Sequence, residues 1–65
     1  MQIIVNGEAA EVAAATLADA LALLDLADAK VATALNGTFV PARRRQDTAI
    51  RDGDRLEIVA PMQGG

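Results

Sequence analysis

Very few of these 65 residues could take part in covalent chemistry. There is no histidine and no cysteine, which removes the commonest general base, the commonest metal ligand and every thiolate site. Thr16, Thr33, Thr38 and Thr48 carry hydroxyls with no histidine to activate them. Asp52 and Asp54 flank Gly53, but a calcium site needs more oxygen ligands than one turn supplies, and a lone glycine makes no phosphate cradle. What remains is the run Pro61-Met62-Gln63-Gly64-Gly65 and the α-carboxylate of Gly65. A free carboxylate is a poor electrophile until it is activated, and conversion to an acyl-adenylate by ATP is one such activation. Glycine suits the narrow site this chemistry needs, because without a Cβ Gly64 and Gly65 can adopt backbone angles closed to other residues. The stretch from Ala60 to Gly65 can reach roughly 20 Å from a folded body. The plainer alternative is a frayed end with no role.

Composition sets what kind of body could carry such a tail. A chain this short makes one domain and buries only about 60% of the surface it exposes when unfolded. Hydrophobic residues make up 52% of it, much of that alanine, and Phe39 is the sole aromatic. One thin layer of Leu, Ile and Val is the core to expect. The net charge of −3 argues against a nucleic-acid binder driven by phosphate contacts. The charge is uneven: residues 1–42 carry Lys30 against five acids, a net of −4, and residues 43–65 carry five arginines against four acids, a net of +1. Arg43-Arg44-Arg45, the only dense basic spot, reads as a solvated loop. No apolar run approaches the roughly 20 residues of a membrane span. The start, MQIIVNGE, lacks the basic region of a signal peptide. A soluble, cytoplasmic chain, monomeric when alone, is the expectation.

Periodicity and turn signals give the elements. Met1 to Val5 is rich in β-branched residues and reads as a strand. Asn6-Gly7 then predicts a two-residue hairpin turn, because both central residues of a type I′ turn need positive φ. Such a turn puts Ile3, Val5, Glu8, Ala10 and Val12 on one face and Ile4 on the other. Thr16 with Asp19 resembles a capping box, and Leu17, Ala20, Leu21 and Leu24 recur at helical spacing, predicting a helix over 17–25. Ala18, Asp19, Ala22 and Asp25 fall on its wet side. After a loop at 26–30, residues 31–35 and 38–40 predict a second hairpin about Asn36-Gly37. It sets Thr33, Leu35 and Val40 on one face and Ala34 and Phe39 on the other. Residues 42–49 read as polar and irregular, with Ile50 an isolated apolar anchor. Asp52-Gly53-Asp54 turns the chain into a last strand, Arg55 to Val59, with Leu56 and Ile58 facing inward. The result is an α+β fold, a mixed sheet of four to five strands with one main helix across one face. The domain occupies residues 1–60 and a flexible tail residues 61–65. The face without the helix then carries Ile4, Ala34, Phe39 and Val59. They form either a docking patch or scattered surface apolars of the ordinary kind.

Four local features, in this order and spacing, resemble one family. They are Met1-Gln2-Ile3 leading to Asn6-Gly7, Ala34-Leu35-Asn36-Gly37 running to Val40-Pro41, Asp52-Gly53-Asp54 running into Leu56-Glu57-Ile58, and the final Gly64-Gly65. Together they resemble the thiamine-biosynthesis sulfur carriers, ThiS, within the ubiquitin-like β-grasp proteins, over essentially the whole chain. There are two departures: Ala42 intervenes where the family often has arginine directly after the proline, and Thr33 stands where a larger aliphatic is common.

The resemblance implies a protein co-substrate and not an enzyme. An E1-like adenylyltransferase using ATP and Mg would adenylate Gly65. A sulfur donor such as a cysteine desulfurase would lead to a C-terminal thiocarboxylate, and thiazole synthase would take the sulfur. Gly64, Gln63 and Met62 would be read by the partners as the tail enters, and the face with Ile4, Ala34, Phe39 and Val59 would dock. No cofactor or metal would be bound by the chain itself. Two readings stay beside this one: a sulfur carrier for molybdopterin, cysteine or tRNA thiolation, and a non-covalent β-grasp binding module that has no use for Gly65. The length favours thiamine over molybdopterin, whose carriers are usually longer.

Overall fold

The computed structural model describes residues 1–60. Its first strand, β1 (Gln2–Val5), turns through Asn6 and Gly7 into β2 (Glu8–Glu11). Positive φ values of 50° and 85° at these two residues are those of the expected type I′ turn. The register pairs Ile3 with Ala10 and Val5 with Glu8, so Ile3 and Val12 are buried on one side. The second hairpin repeats the device: β3 (Ala32–Leu35) and β4 (Thr38–Val40) join through Asn36 and Gly37 at φ 51° and 85°. The last strand, β5 (Arg55–Val59), enters between the hairpins, parallel to β1 and antiparallel to β3. The five-stranded mixed sheet has the order β2-β1-β5-β3-β4.

The helix, α1 (Leu17–Leu23), starts where the sequence announces it. The Thr16 hydroxyl accepts from the Asp19 amide at 3.2 Å, and the Asp19 carboxylate accepts from the Thr16 amide at 3.3 Å. The freed Leu17 amide donates to Thr48 O at 2.8 Å. The helix stops two residues before the expected end. Asp25 takes φ 64°, its amide donates to Ala22 O at 3.1 Å, and the Leu26 amide donates to Leu21 O at 2.8 Å. This is a Schellman closure with aspartate in the place glycine usually fills, so no glycine marked it in the sequence. Leu26 beyond it packs against the core.

Leu17, Ala20 and Leu21 from α1 meet Ile3, Val12, Val40, Ile50 and Leu56 to form that core. Ile50 is the buried anchor expected of it. The segment before it is more regular than expected: Ala42–Asp47 is a 3-10 helix with Pro41 at its N-cap. The arginine run is therefore not one solvated loop. Arg43 and Arg44 are exposed, but Arg45 turns inward. Its Nε donates to the Thr33 hydroxyl at 3.1 Å and its Nη2 donates to Val31 O at 2.6 Å. Thr33, buried at 1% exposure, in turn donates to Val40 O at 2.8 Å. A larger aliphatic at position 33 would leave the Arg45 Nε without this acceptor, which is the physical sense of the departure seen there.

Leu56 is fully buried on the central strand. Replacing it with alanine should cost about 2–5 kcal/mol, most of the stability a domain of this size holds. Urea titration followed by far-UV circular dichroism will show this as a large fall in midpoint. A midpoint unchanged by Leu56→Ala would mean the core is not organised around β5.

Candidate functional site

Of the residues expected to do chemistry, Met62, Gln63, Gly64 and Gly65 lie outside the described residues. What the structure describes is the strand that leads to them and the surface around it. β5 is the central strand of the sheet, with β1 on one edge and β3 on the other. Leu56 is buried, Ile58 is half-buried, and Arg55, Glu57 and Val59 point to the opposite, helix-free face.

The two hairpin asparagines hold this strand from either side. On the β1 side the Ile4 amide donates to Asp54 O at 2.8 Å and the Asn6 amide to Leu56 O at 2.9 Å. There β1 turns away into its hairpin, and the Asn6 side chain supplies the next rung. Its Oδ1 accepts from the Ile58 amide at 2.8 Å and its Nδ2 donates to Ile58 O at 3.1 Å. On the β3 side the Asn36 Oδ1 accepts from the Arg55 amide at 2.9 Å, and its Nδ2 donates to Asp54 Oδ1 at 3.1 Å. Each asparagine does two jobs: it tolerates the positive φ of the turn, and its side chain hydrogen-bonds the last strand or its turn, Asn6 as a copied backbone pair with Ile58 and Asn36 through the Arg55 amide and the Asp54 carboxylate. Local sequence points only to the first. The signal was there in the amide itself, since glycine or aspartate would serve the turn equally well.

The aspartates around Gly53 are also occupied. Asp52 Oδ1 accepts from the Gln2 amide at 2.7 Å, and Asp54 Oδ2 accepts from the Arg51 amide at 2.8 Å. They brace the turn that feeds β5. Among the described residues, no three His, Cys, Asp or Glu side chains gather as metal ligands would. No helix among them is long and apolar enough to cross a membrane.

The predicted docking residues divide. Phe39 pairs with Ala34, which pairs with Glu57, in one row across the sheet, and Ala32 pairs with Val59 in the next. Phe39 and Val59 are 65% and 62% exposed, and Ala34, beside Phe39 in its row, is half-buried. Ile4 stands apart, opposite Arg55. It lies in a separate open depression of about 360 Å³ that it shares with Asn36, Arg55 and Glu57. The apolar surface therefore concentrates at the end of β5 nearest the tail, beside the outer β4. A second depression of about 350 Å³ runs from Phe39 over Pro41 to Arg43 and Arg44. These two arginines were missed as part of this surface because nothing in the sequence places the 3-10 helix beside β4.

The ThiS family model matches residues 3–65. The chain belongs to the ThiS family. A crystal structure of thiamine biosynthesis protein ThiS from Geobacter metallireducens superposes with a TM-score of 0.84 at 32% identity, over 100% of both chains. The fold is the ubiquitin-like β-grasp of that ThiS structure. The solution structure of a thiamine biosynthesis protein from the same organism gives 0.78 at 32% identity, over 100% of this chain and 88% of that one. A thiazole synthase of Paramagnetospirillum magneticum is 38% identical over 66 residues, which is 100% of this chain and 20% of that protein. This ThiS chain thus spans about a fifth of the length of the curated relative it matches.

If the asparagine amides hold β5, Asn6→Gly keeps the turn angle and removes the clasp. Hydrogen exchange at the Ile58 amide should then accelerate by about fivefold, the effect of losing about 1 kcal/mol of local hydrogen bonding. The Leu56 amide should change little. Equal exchange at Ile58 in both proteins would assign its protection to something other than Asn6.

Proposed function

We propose that this ThiS protein carries sulfur for thiazole formation in thiamine biosynthesis, through the carboxylate of Gly65. The observation that supports this most is the family match, which runs from the first strand through Gly64-Gly65. An E1-like adenylyltransferase using ATP and Mg converts the carboxylate to an acyl-adenylate, releasing pyrophosphate. A persulfide supplied through a donor such as a cysteine desulfurase attacks the acyl carbon and AMP leaves; a second thiol then cleaves the S–S bond of the acyl persulfide, forming a disulfide with the donor sulfur, and a thiocarboxylate remains. Thiazole synthase takes the sulfur and returns the carboxylate. A thiazole synthase with a segment like this chain inside it supports that partnership. The chain acts as co-substrate: it presents Gly65 at the end of a tail, with Gly64, Gln63 and Met62 read by the partners' channels. The folded part supplies recognition through Phe39, Val59 and Ala34, with Ile4 at a second contact.

Intact-mass measurement tests the first half. Incubated with an E1-like adenylyltransferase, MgATP and a sulfur source, the chain should gain the mass difference between sulfur and oxygen. A variant lacking Gly65 should gain nothing. No gain in either, with an enzyme shown active on a known carrier, counts against the proposal and favours a binding module. Supplying the product to thiazole synthase then identifies the sulfur's destination.

The docking face has its own test. Phe39→Ala and Val59→Ala remove exposed side chains, so unfolding free energies should stay within about 0.5 kcal/mol of the parent. Thiocarboxylate formation at low carrier concentration should slow by about tenfold if these are anchors in an interface. Unchanged rates in the double variant would remove this face from the function.

A further inference from the structure

The sequence contains two asparagines, and each is followed by glycine. Both sit in exposed turns, and nothing lies within 4 Å of where a Cβ on Gly7 or Gly37 would be. Glycine sets no Cβ beside the backbone nitrogen that would attack, the arrangement in which an asparagine side chain is most open to attack by the chain itself. Yet both side-chain amides are committed elsewhere, Asn6 to Ile58 through two hydrogen bonds and Asn36 to Arg55 and Asp54 through two more.

We propose that Asn6 and Asn36 are latent deamidation sites that the hydrogen bonds to β5 and its turn keep unreactive, and that become reactive whenever β5 undocks. In the reaction the glycine nitrogen attacks Cγ of the preceding asparagine. An N–Cγ bond forms and closes a cyclic imide, the Cγ–Nδ2 bond breaks, and ammonia leaves with the proton from the glycine nitrogen. Water then opens one of the two imide carbonyls, giving aspartate or isoaspartate. Water is the only co-reactant, and each event makes the net charge of −3 more negative by one. To reach its own glycine nitrogen the side chain must swing off β5, so the clasp and the reaction exclude each other.

The products do not restore the clasp. Aspartate at position 6 has no N–H for Ile58 O and sets a charged oxygen against it. Isoaspartate adds a methylene to the backbone inside a turn whose register fixes β1 against β2. Undocking of the strand that leads to the tail thereby becomes a permanent change, and the deamidated chain marks molecules in which it has occurred.

Peptide mapping by mass spectrometry tests this on the full chain, incubated at mildly alkaline pH in buffer and in urea. Isoaspartate is scored by carboxyl-methyltransferase labelling. Both asparagines should convert readily in urea and slower by about tenfold or more in buffer, the ratio set by the free energy of opening. Asp54→Ala removes the acceptor of Asn36 Nδ2 and leaves the Asn6 bonds alone. It should speed conversion at Asn36 in buffer relative to Asn6. Equal rates in buffer and urea, no conversion in either, or an Asn36-to-Asn6 ratio unmoved by a folded Asp54→Ala protein would each overturn the proposal. Should Asp54→Ala unfold the chain, the comparison of the parent protein in buffer and urea decides alone.

Discussion

The first and last strands of this domain lie side by side and parallel. Bonds from Gln2 to Asp52 and from Asn6 to Ile58 join residues 50 and 52 positions apart. A parallel pair cannot be closed by a tight turn, so the intervening chain must leave the sheet and return. Here it goes out through a helix and comes back through a second hairpin and a 3-10 helix. Closing so long a loop costs conformational entropy before any contact repays it. The repayment is concentrated where the strands meet: Ile3 and Leu56 are wholly buried, and rungs run from Gln2 through Ile4 to Asn6. The asparagine amides extend the pairing past the point where each hairpin bends away. The central strand is thus held along its length although both its neighbours are short.

The other elements serve that arrangement. α1 covers the inward face of the sheet with Leu17, Ala20 and Leu21, using the best helix formers on a helix of only seven residues. A helix this short has little stability of its own, so the capping box, the Leu17–Thr48 bond and the Schellman closure matter in proportion. The 3-10 helix packs beside it. Arg45 reaches from that helix to Thr33 and Val31, tying the outer β3–β4 hairpin to the segment that returns to β5. A charged group at that depth is tolerated because hydroxyl and carbonyl oxygens meet its protons.

This division fits a carrier. The chemistry proposed for the Gly65 carboxylate would need no catalytic groups in the body, whose described polar side chains serve turns, caps and clasps. The helix-free face is where exposed apolar surface and the exit of β5 coincide. A partner that engages Phe39 and Val59 would hold the domain close to where the tail departs. Arg43 and Arg44 at the margin of the same surface give it a positive rim on an otherwise acidic chain. Charges at such a margin influence encounter and orientation more than affinity.

Much of the fold was legible locally. Two Asn-Gly pairs, alternating apolar residues and a Thr-x-x-Asp cap set both hairpins, the start of the helix and the inward face of every strand, because each rests on neighbours in sequence. Composition alone also removed histidine and cysteine from the chemistry open to the chain. The end of the helix was not, because Asp25 replaces glycine at a position only the closing hydrogen bonds define. Nor was the inward turn of Arg45, which depends on Thr33 arriving from another strand. The second use of Asn6 and Asn36 was hidden for the same reason: their partners on and just before β5 lie 18 to 52 residues away. The splitting of Ile4 from Phe39 and Val59 likewise follows from β5 inserting its Arg55 and Glu57 between the hairpins. Sequence by itself determined both hairpins, the start of the helix and the last strand, and removed histidine and cysteine chemistry. Tertiary structure decided which side chains meet, because those meetings are fixed by the long-range pairing of β5 and by no local preference.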